Sequence, residues 1–309
     1  DSLNLRVFGL WVGGKSKVSA RMAIQQHQRV QGSFTIGNEH LVLGGIKIFA
    51  DGSGGARTAW LYDEWNKDIT GVDKGNHGFP NIQPDTLRAM LSEIHKAGIH
   101  ASTHAIGDRT IDTLVTIYKE VLTDNPKNNL RHGIIHANIP TDAALDIMEE
   151  LQTKYGSGYP EPSATFTWWI GDTYAGNFGE RAKRLNPFAT FKKRGIIWAN
   201  GSDYAVTPFP AKYGIWSSIA RQPEVGEYED TPFGTKESVD VRTALKAATI
   251  WTAHQMFMEE HIGSLEVGKF ADLAIWDRDL YTVETDEIKE MECLMTIFNG
   301  KIVYESDKF

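Results

Sequence analysis

The sequence predicts an α/β chain of parallel β/α units closed as a (β/α)8 TIM-type barrel. Three observations carry this reading. Short apolar runs alternate with amphipathic stretches of ~10–15 residues, the signature of parallel strands joined by helices. No Gly-rich dinucleotide fingerprint opens any unit, which favours a barrel over an open doubly wound sheet. The 309 residues are 41% hydrophobic and 23% charged, enough for a large core.

The elements follow in order. Leu5 to Trp11 alternates around β-type residues and predicts a strand. Ile46 to Ala50 predicts a second, ended by Asp51-Gly52-Ser53-Gly54-Gly55. Pro84 opens a helix with Leu87, Met90, Leu91 and Ile94 on one face, stopped by Gly98. Ile99 to Thr103 is the next strand, and Asp108 the expected N-cap of a helix striped by Ile111, Leu114, Val115, Tyr118 and Leu122. Arg131 to His136 is a further strand, and Thr141 caps the helix carrying Leu145, Met148 and Leu151. Ser163 to Trp168 and Gly195 to Asn200 predict two more strands. Beyond them, Ala271 to Trp276 and Leu294 to Val303, the latter around Asn299-Gly300, predict a small β element with one hairpin. The expected division is a barrel portion, 1–258, and a C-terminal β-sandwich portion, 259–309.

Composition narrows the partners. The net charge of −8 argues against a nucleic-acid surface. The longest apolar run, Leu41 to Ala50, is interrupted by Gly44, Gly45 and Lys47 and falls short of the ~18 residues of a membrane span. A single cysteine, Cys293, excludes an internal disulfide framework and a Cys-rich zinc site. The cytoplasm is the favoured compartment, with export left open by a chain that starts at Asp1 rather than Met.

Barrel chemistry sits at the C-terminal ends of the strands. There the chain carries Lys47, His104, His136 and Asp203 on successive units. Imidazole and carboxylate suit a divalent metal, zinc above others. A lysine in an apolar strand is costly unless altered, and addition of CO2 to its amine would make it an anionic oxygen ligand. Each residue alone has a plainer role: a hydrogen-bonded core histidine, a snorkelling lysine, an Asx-turn aspartate. Their occurrence in strand order favours the metal. Trp168, Trp169, Trp198, Tyr204 and Trp216 could wall a small-molecule pocket, and Arg57 or Arg109 could bind an anionic group of the substrate. Gly9 to Ser16 also satisfies the P-loop pattern, although Leu10, Trp11 and Val12 are bulky where backbone must wrap phosphate.

These stretches resemble the amidohydrolase superfamily, and within it the family 3 branch related to N-substituted formamide deformylases. The matching segments are Lys47-Ile-Phe-Ala-Asp-Gly-Ser, His104-Ala-Ile-Gly-Asp-Arg, Arg131-His-Gly-Ile-Ile-His136-Ala, Gly201-Ser-Asp203 and Ile262-Gly-Ser-Leu-Glu-Val-Gly-Lys-Phe-Ala-Asp-Leu. The resemblance implies a metal-dependent hydrolase acting on a carbon–nitrogen bond through a metal-activated water. It assigns Lys47 as a carboxylated bridging ligand, His104 and His136 as ligands, and Asp203 as the last-strand aspartate that contacts metal and takes the water proton. Three departures stand out. No His-x-His pair exists in the chain, Ile135 replaces the Glu often found before the sixth-strand His, and Tyr204-Ala205 replaces an aromatic-Pro. Leu5 to Trp11 then corresponds to a third barrel strand, so the expectation is a chain lacking the family's N-terminal part. A missing segment or a second subunit would cover the cut edge, and a non-catalytic, ligand-binding barrel is the alternative reading.

Overall fold

The computed structural model describes residues 4–30, 40–66, 74–226 and 233–308. Its main sheet holds β1 (Val7–Val12), β2 (Leu41–Phe49), β3 (His100–Ala105), β4 (Gly133–His136) and β5 (Tyr159–Glu161), all parallel and hydrogen-bonded in chain order. Helices α1 (Lys17–Val30), α2 (Pro84–Lys96), α3 (Asp108–Asp124) and α4 (Asp142–Tyr155) fill the crossovers. This is the β/α order of a barrel, with five laddered strands among the described residues.

Helix periodicity sets the core. Leu87, Met90, Leu91 and Ile94 of α2 are buried, as are Ile111, Leu114, Val115, Tyr118 and Leu122 of α3. They pack on Ile46, Ile48, Ala101 and Ile134 of the sheet. A second apolar cluster, including Leu61, Trp65, Phe166, Tyr174, Phe178 and Phe233, joins the long loop after β2 to the short helix α5 (Gly171–Phe178), while α6 (Phe188–Arg194) buries Phe188 and Phe191 in the first.

Four sequence expectations are corrected. The cap of α3 is Gly107; Asp108 instead accepts from the amides of Tyr62, 3.0 Å, and Arg109, 2.7 Å. Ser163 to Trp168 is a 3-10 turn, Ala164–Thr167, following the shorter strand β5. Gly195 to Asn200 forms no ladder, although it does run beside β5: Ala199 donates to the Pro160 carbonyl and Gly201 to that of Pro162. The cause is chemical. Pro160 and Pro162 have no N–H to return, so only the isolated Ser163–Gly201 bridge remains. Finally, Gly9 to Ser16 is no phosphate loop. Leu10, Trp11 and Val12 lie in β1, paired with Gly45, Ile46 and Lys47, while Lys15 bonds Asn81.

After α7 (Ala211–Ala220), α8 (Val241–Ala248) and α9 (Ile250–Gln255), the chain forms an antiparallel sheet of β6 (Leu273–Trp276), β7 (Cys293–Phe298) and β8 (Lys301–Glu305). Asn299 (φ 50°) and Gly300 (φ 75°) make the β7–β8 turn, the two positive angles that a tight primed turn demands. No helix among the described residues is long and apolar enough to cross a membrane.

Candidate active site

Parallel register carries the key side chains to neighbouring positions. Lys47 on β2 sits between Val12 of β1 and Ser102 of β3. Phe49 is opposite His104, and Ala105 opposite His136. Lys47, His136 and Asp203 line one cavity of about 400 Å³, with Ser102, Glu161, Ser163 and Asn200 among its other polar residues. His104 joins them through His136: the rings meet edge to face with centroids 4.6 Å apart.

The two imidazoles are held differently. His104 donates Nδ1–H to Asp51, 3.0 Å away. Asp51 also accepts from the amides of Ile106, Gly107 and Trp60, so its oxygens are acceptors only. A hydrogen therefore lies on His104 Nδ1, which leaves Nε2 as the nitrogen facing away from Asp51. His136 is buried, and its Nδ1 has no hydrogen-bond partner. Burial, then the nearby His104 and Lys47, push His136 well below the ordinary histidine range, which keeps it neutral. An unpaired buried nitrogen costs ~1–3 kcal/mol and calls for an explanation in function.

Lys47 is pulled down to about 8 by burial, against the opposing charges of Glu161 and Asp203. Its Nζ lies 4.6 Å from the centre of the Phe49 ring. Burial raises the Asp203 carboxyl above the usual carboxylate range, while Lys47 and His104 oppose that shift. His136 (φ 73°) and Asp203 (φ 55°) both adopt left-handed backbone, a strained state for non-glycine residues that clusters at functional positions.

These donors fit a divalent metal in part. The imidazole nitrogens of His104 and His136 suit zinc or a neighbouring first-row ion, and Lys47 is beside them as a further donor. Among the described residues, no group of three His, Cys, Asp or Glu side chains is placed to hold a metal ion.

The other expected pocket residues fall elsewhere. Trp168 is buried against Tyr213, Trp169 and Trp216, and Trp198 between Phe188 and Trp251. Trp169 is half exposed, and Tyr204 is exposed against Phe209. Arg57 lies in the loop after β2 with φ 54°, outside the cavity lining, and Arg109 stacks on Trp60. Sequence reasoning missed Asp51 and Glu161. Asp51 lies in the turn that ends β2. Glu161 had one signal, a carboxyl set between two prolines at a strand end.

The sequence model of the Amidohydrolase family matches residues 5–304. Among curated proteins, the putative amidohydrolase YtcJ of Bacillus subtilis is 26% identical over 273 residues, 86% of this chain and 48% of that protein. The N-substituted formamide deformylase of Arthrobacter pascens is 25% identical over 228 residues, 69% of this chain and 39% of that protein. The chain thus spans about half the length, or less, of these curated relatives. Among solved structures, an uncharacterized metal-dependent hydrolase from Pyrococcus horikoshii superimposes with a TM-score of 0.70 at 20% identity, over 91% of this chain and 52% of that one. Strand-end residues, β/α order and a family match over nearly the whole sequence agree: the chain belongs to the amidohydrolase family.

Proposed function

We propose that this chain carries the barrel half of a metal-dependent hydrolase that cleaves the carbon–nitrogen bond of an amide or formamide-like small molecule. The observation that carries the proposal is the buried, unpartnered Nδ1 of His136 beside a His104 that Asp51 locks with Nε2 free. His104, His136 and Lys47 would hold the ion. When bound, a divalent metal supplies Lewis acidity toward the scissile carbonyl and the attacking water. The family match and the metal-dependent hydrolase among the solved structures support the ion, and the formamide deformylase supports the bond type.

The chain's own residues do the rest. Asp203, raised above a free carboxylate, takes the water proton and returns it to the leaving nitrogen. Lys47 at about 8 exposes a usable fraction of neutral amine at neutral pH. That amine can add CO2, forming an N–C bond and releasing one proton, to become a carbamate oxygen donor. Phe49, above Lys47 and against the His104 ring at 5.7 Å, offers an apolar contact to the substrate.

Metal content and turnover test this together. The chain is loaded with zinc, manganese or cobalt in bicarbonate buffer, freed of excess ion, and assayed for amine release from a panel of N-formyl and N-acyl amines. We expect retained metal in the native chain, lost in His136→Gln, and amine release that follows the metal. Equal metal retention by His136→Gln, or none by the native chain, overturns the reading.

A further inference from the structure

The two candidate imidazoles differ in what aims them. His104 is held through Asp51, whereas His136 has no hydrogen-bond partner on Nδ1. Its ring is placed by contact alone, near parallel to Phe166 with centroids 5.4 Å apart and edge-on to His104. Its backbone is unusual as well. His136 (φ 73°) and the following Ala137 (φ 44°) are both left-handed. Two such residues in succession persist only where the surrounding structure over-determines them.

The surrounding structure is a pair of buried asparagines. Asn138 donates Nδ2–H to Asn186 Oδ1 at 2.7 Å, and the Asn186 amide donates back to the Asn138 carbonyl at 2.7 Å. Asn186, itself left-handed (φ 49°), turns its own Nδ2–H to the Ser163 carbonyl at 2.9 Å. That carbonyl also accepts from the Phe166 amide at 3.0 Å. The clasp thus ties the turn that carries His136 to the turn that carries the ring stacked on it. Behind it, the buried Arg221 donates to the carbonyls of Asn186, 3.2 Å, and Leu185, 2.6 Å.

A single backbone carbonyl fixes both side-chain amides. Ser163 O only accepts, so Asn186 presents its NH2 group there and its Oδ1 to Asn138. Asn138 must answer with NH2, which leaves its own Oδ1 over. That oxygen is buried and has no partner. An unsatisfied buried oxygen is costly, and a leucine of similar volume would avoid it. Among the described residues the Asn138 side chain bonds nothing but Asn186, so the residue is explained by the clasp and not by filling space.

We propose that Asn138 and Asn186 are positioning residues that aim His136, doing through the backbone what Asp51 does for His104 at the ring. The proposal rests on the reading of His136 as a metal ligand. The clasp holds the left-handed turn at 136–137 and keeps it in place against Ser163, which lines the same cavity.

Two variants of the full chain test it. Asn138→Leu keeps the side-chain volume and removes the bond. Asn186→Gly suits the left-handed backbone and removes both side-chain links, which keeps the test open if the first variant unfolds. Thr141→Ala, which uncaps a neighbouring helix and leaves the clasp whole, is the comparison for plain loss of stability. Cobalt affinity by equilibrium dialysis should fall roughly tenfold in each asparagine variant, with an altered visible spectrum of the bound ion. Both should stay native in Thr141→Ala. In the metal-free native chain the His136 ring should give one sharp set of NMR signals, broadened or doubled in the asparagine variants. Native cobalt affinity and spectrum in those variants, or a loss matched by Thr141→Ala, overturns the clasp. Absence of metal from the native chain would sink the functional reading instead. The metal-free His136 signals then decide the clasp, and equal sharpness in native and variant chains overturns it.

Discussion

Asp51 shows how one buried carboxylate can fix the orientation of a residue we propose as a metal ligand. It spends three amide contacts and one imidazole contact on a single job, holding His104 in one tautomer. Such supporting carboxylates change metal affinity by ~10–100-fold when lost. Asp51→Asn should weaken zinc retention within that range, measured by equilibrium dialysis. Unchanged affinity would mean His104 is not a ligand. A second set of histidines is fixed by the same logic. The buried His132 accepts from the Ala101 amide on Nδ1, its Nε2–H meets His95 Nδ1 at 2.9 Å, and His95 Nε2–H donates to the Asn125 carbonyl. Every contact requires neutral rings. Burial lowers His95, His132 and His100, the last to about 4. The unfolded chain therefore binds more protons at these sites below about 6.5, and stability that is present above 6.5 is lost as pH falls toward about 4. Glu161 acts in the opposite sense between 4.5 and about 7, as one group against three. In His132→Asn the amide oxygen can still accept from Ala101 but cannot take a proton. Its Tm should fall less steeply than that of the native chain between pH 6.5 and 4.

At the scale of elements, agreement follows local chemistry. Thr141 does cap α4, accepting from the Ala144 amide at 3.0 Å, and Thr141→Ala should cost ~1 kcal/mol in urea unfolding. The apolar stripes of α2 and α3, and the Asn299-Gly300 turn, were legible because they depend on spacing of three or four residues or on one backbone angle. Lys47, His136 and Asp203, which line one cavity, were legible as neighbours because β/α units place strand ends side by side, and His104 meets them through the His136 ring. Asp51 and Glu161 were not, since each matters through a partner 53 or 59 positions away, His104 and Ser102 respectively. The expected strand at Gly195 to Asn200 failed for a related reason: its apolar pattern is strand-like, but its ladder depends on prolines in another segment. Gly133 is the sharpest element-level test. Gly133→Ala puts a methyl into the Glu161–Ser102 contact, so it should lower Tm by several degrees.

Across the whole molecule, a few charged side chains join distant segments. Arg6 packs against the rings of Phe270 and Phe298 and makes a two-pronged contact with Asp272, which also accepts from the Asn299 amide. Arg131, just before β4, pairs in the same forked manner with Glu259 beyond α9. Both pairs are mostly shielded from water, where forked arginine–carboxylate contacts are strong. Asp272→Ala removes the carboxylate from both Arg6 and the β7–β8 turn. It should cost ~2 kcal/mol and open residues 272–305 to limited proteolysis before the barrel.

The paired prolines of β5 have a consequence for motion. Segment 196–201 is stitched to β5 by bonds that run in one direction only, so the protein has a half-fastened seam along that line. Asp203 lies two residues past its last stitch. Asp203, the proton carrier of our proposal, thus follows a segment outside any ladder, whereas His104 pairs with both β2 and β4 and His136 with β3. Deuterium should enter the Ala199 and Gly201 amides well before those of His104 or Ile135. The base we propose at Asp203, on a short tether beside imidazoles set in the sheet, can swing between water and leaving group while its partners stay still.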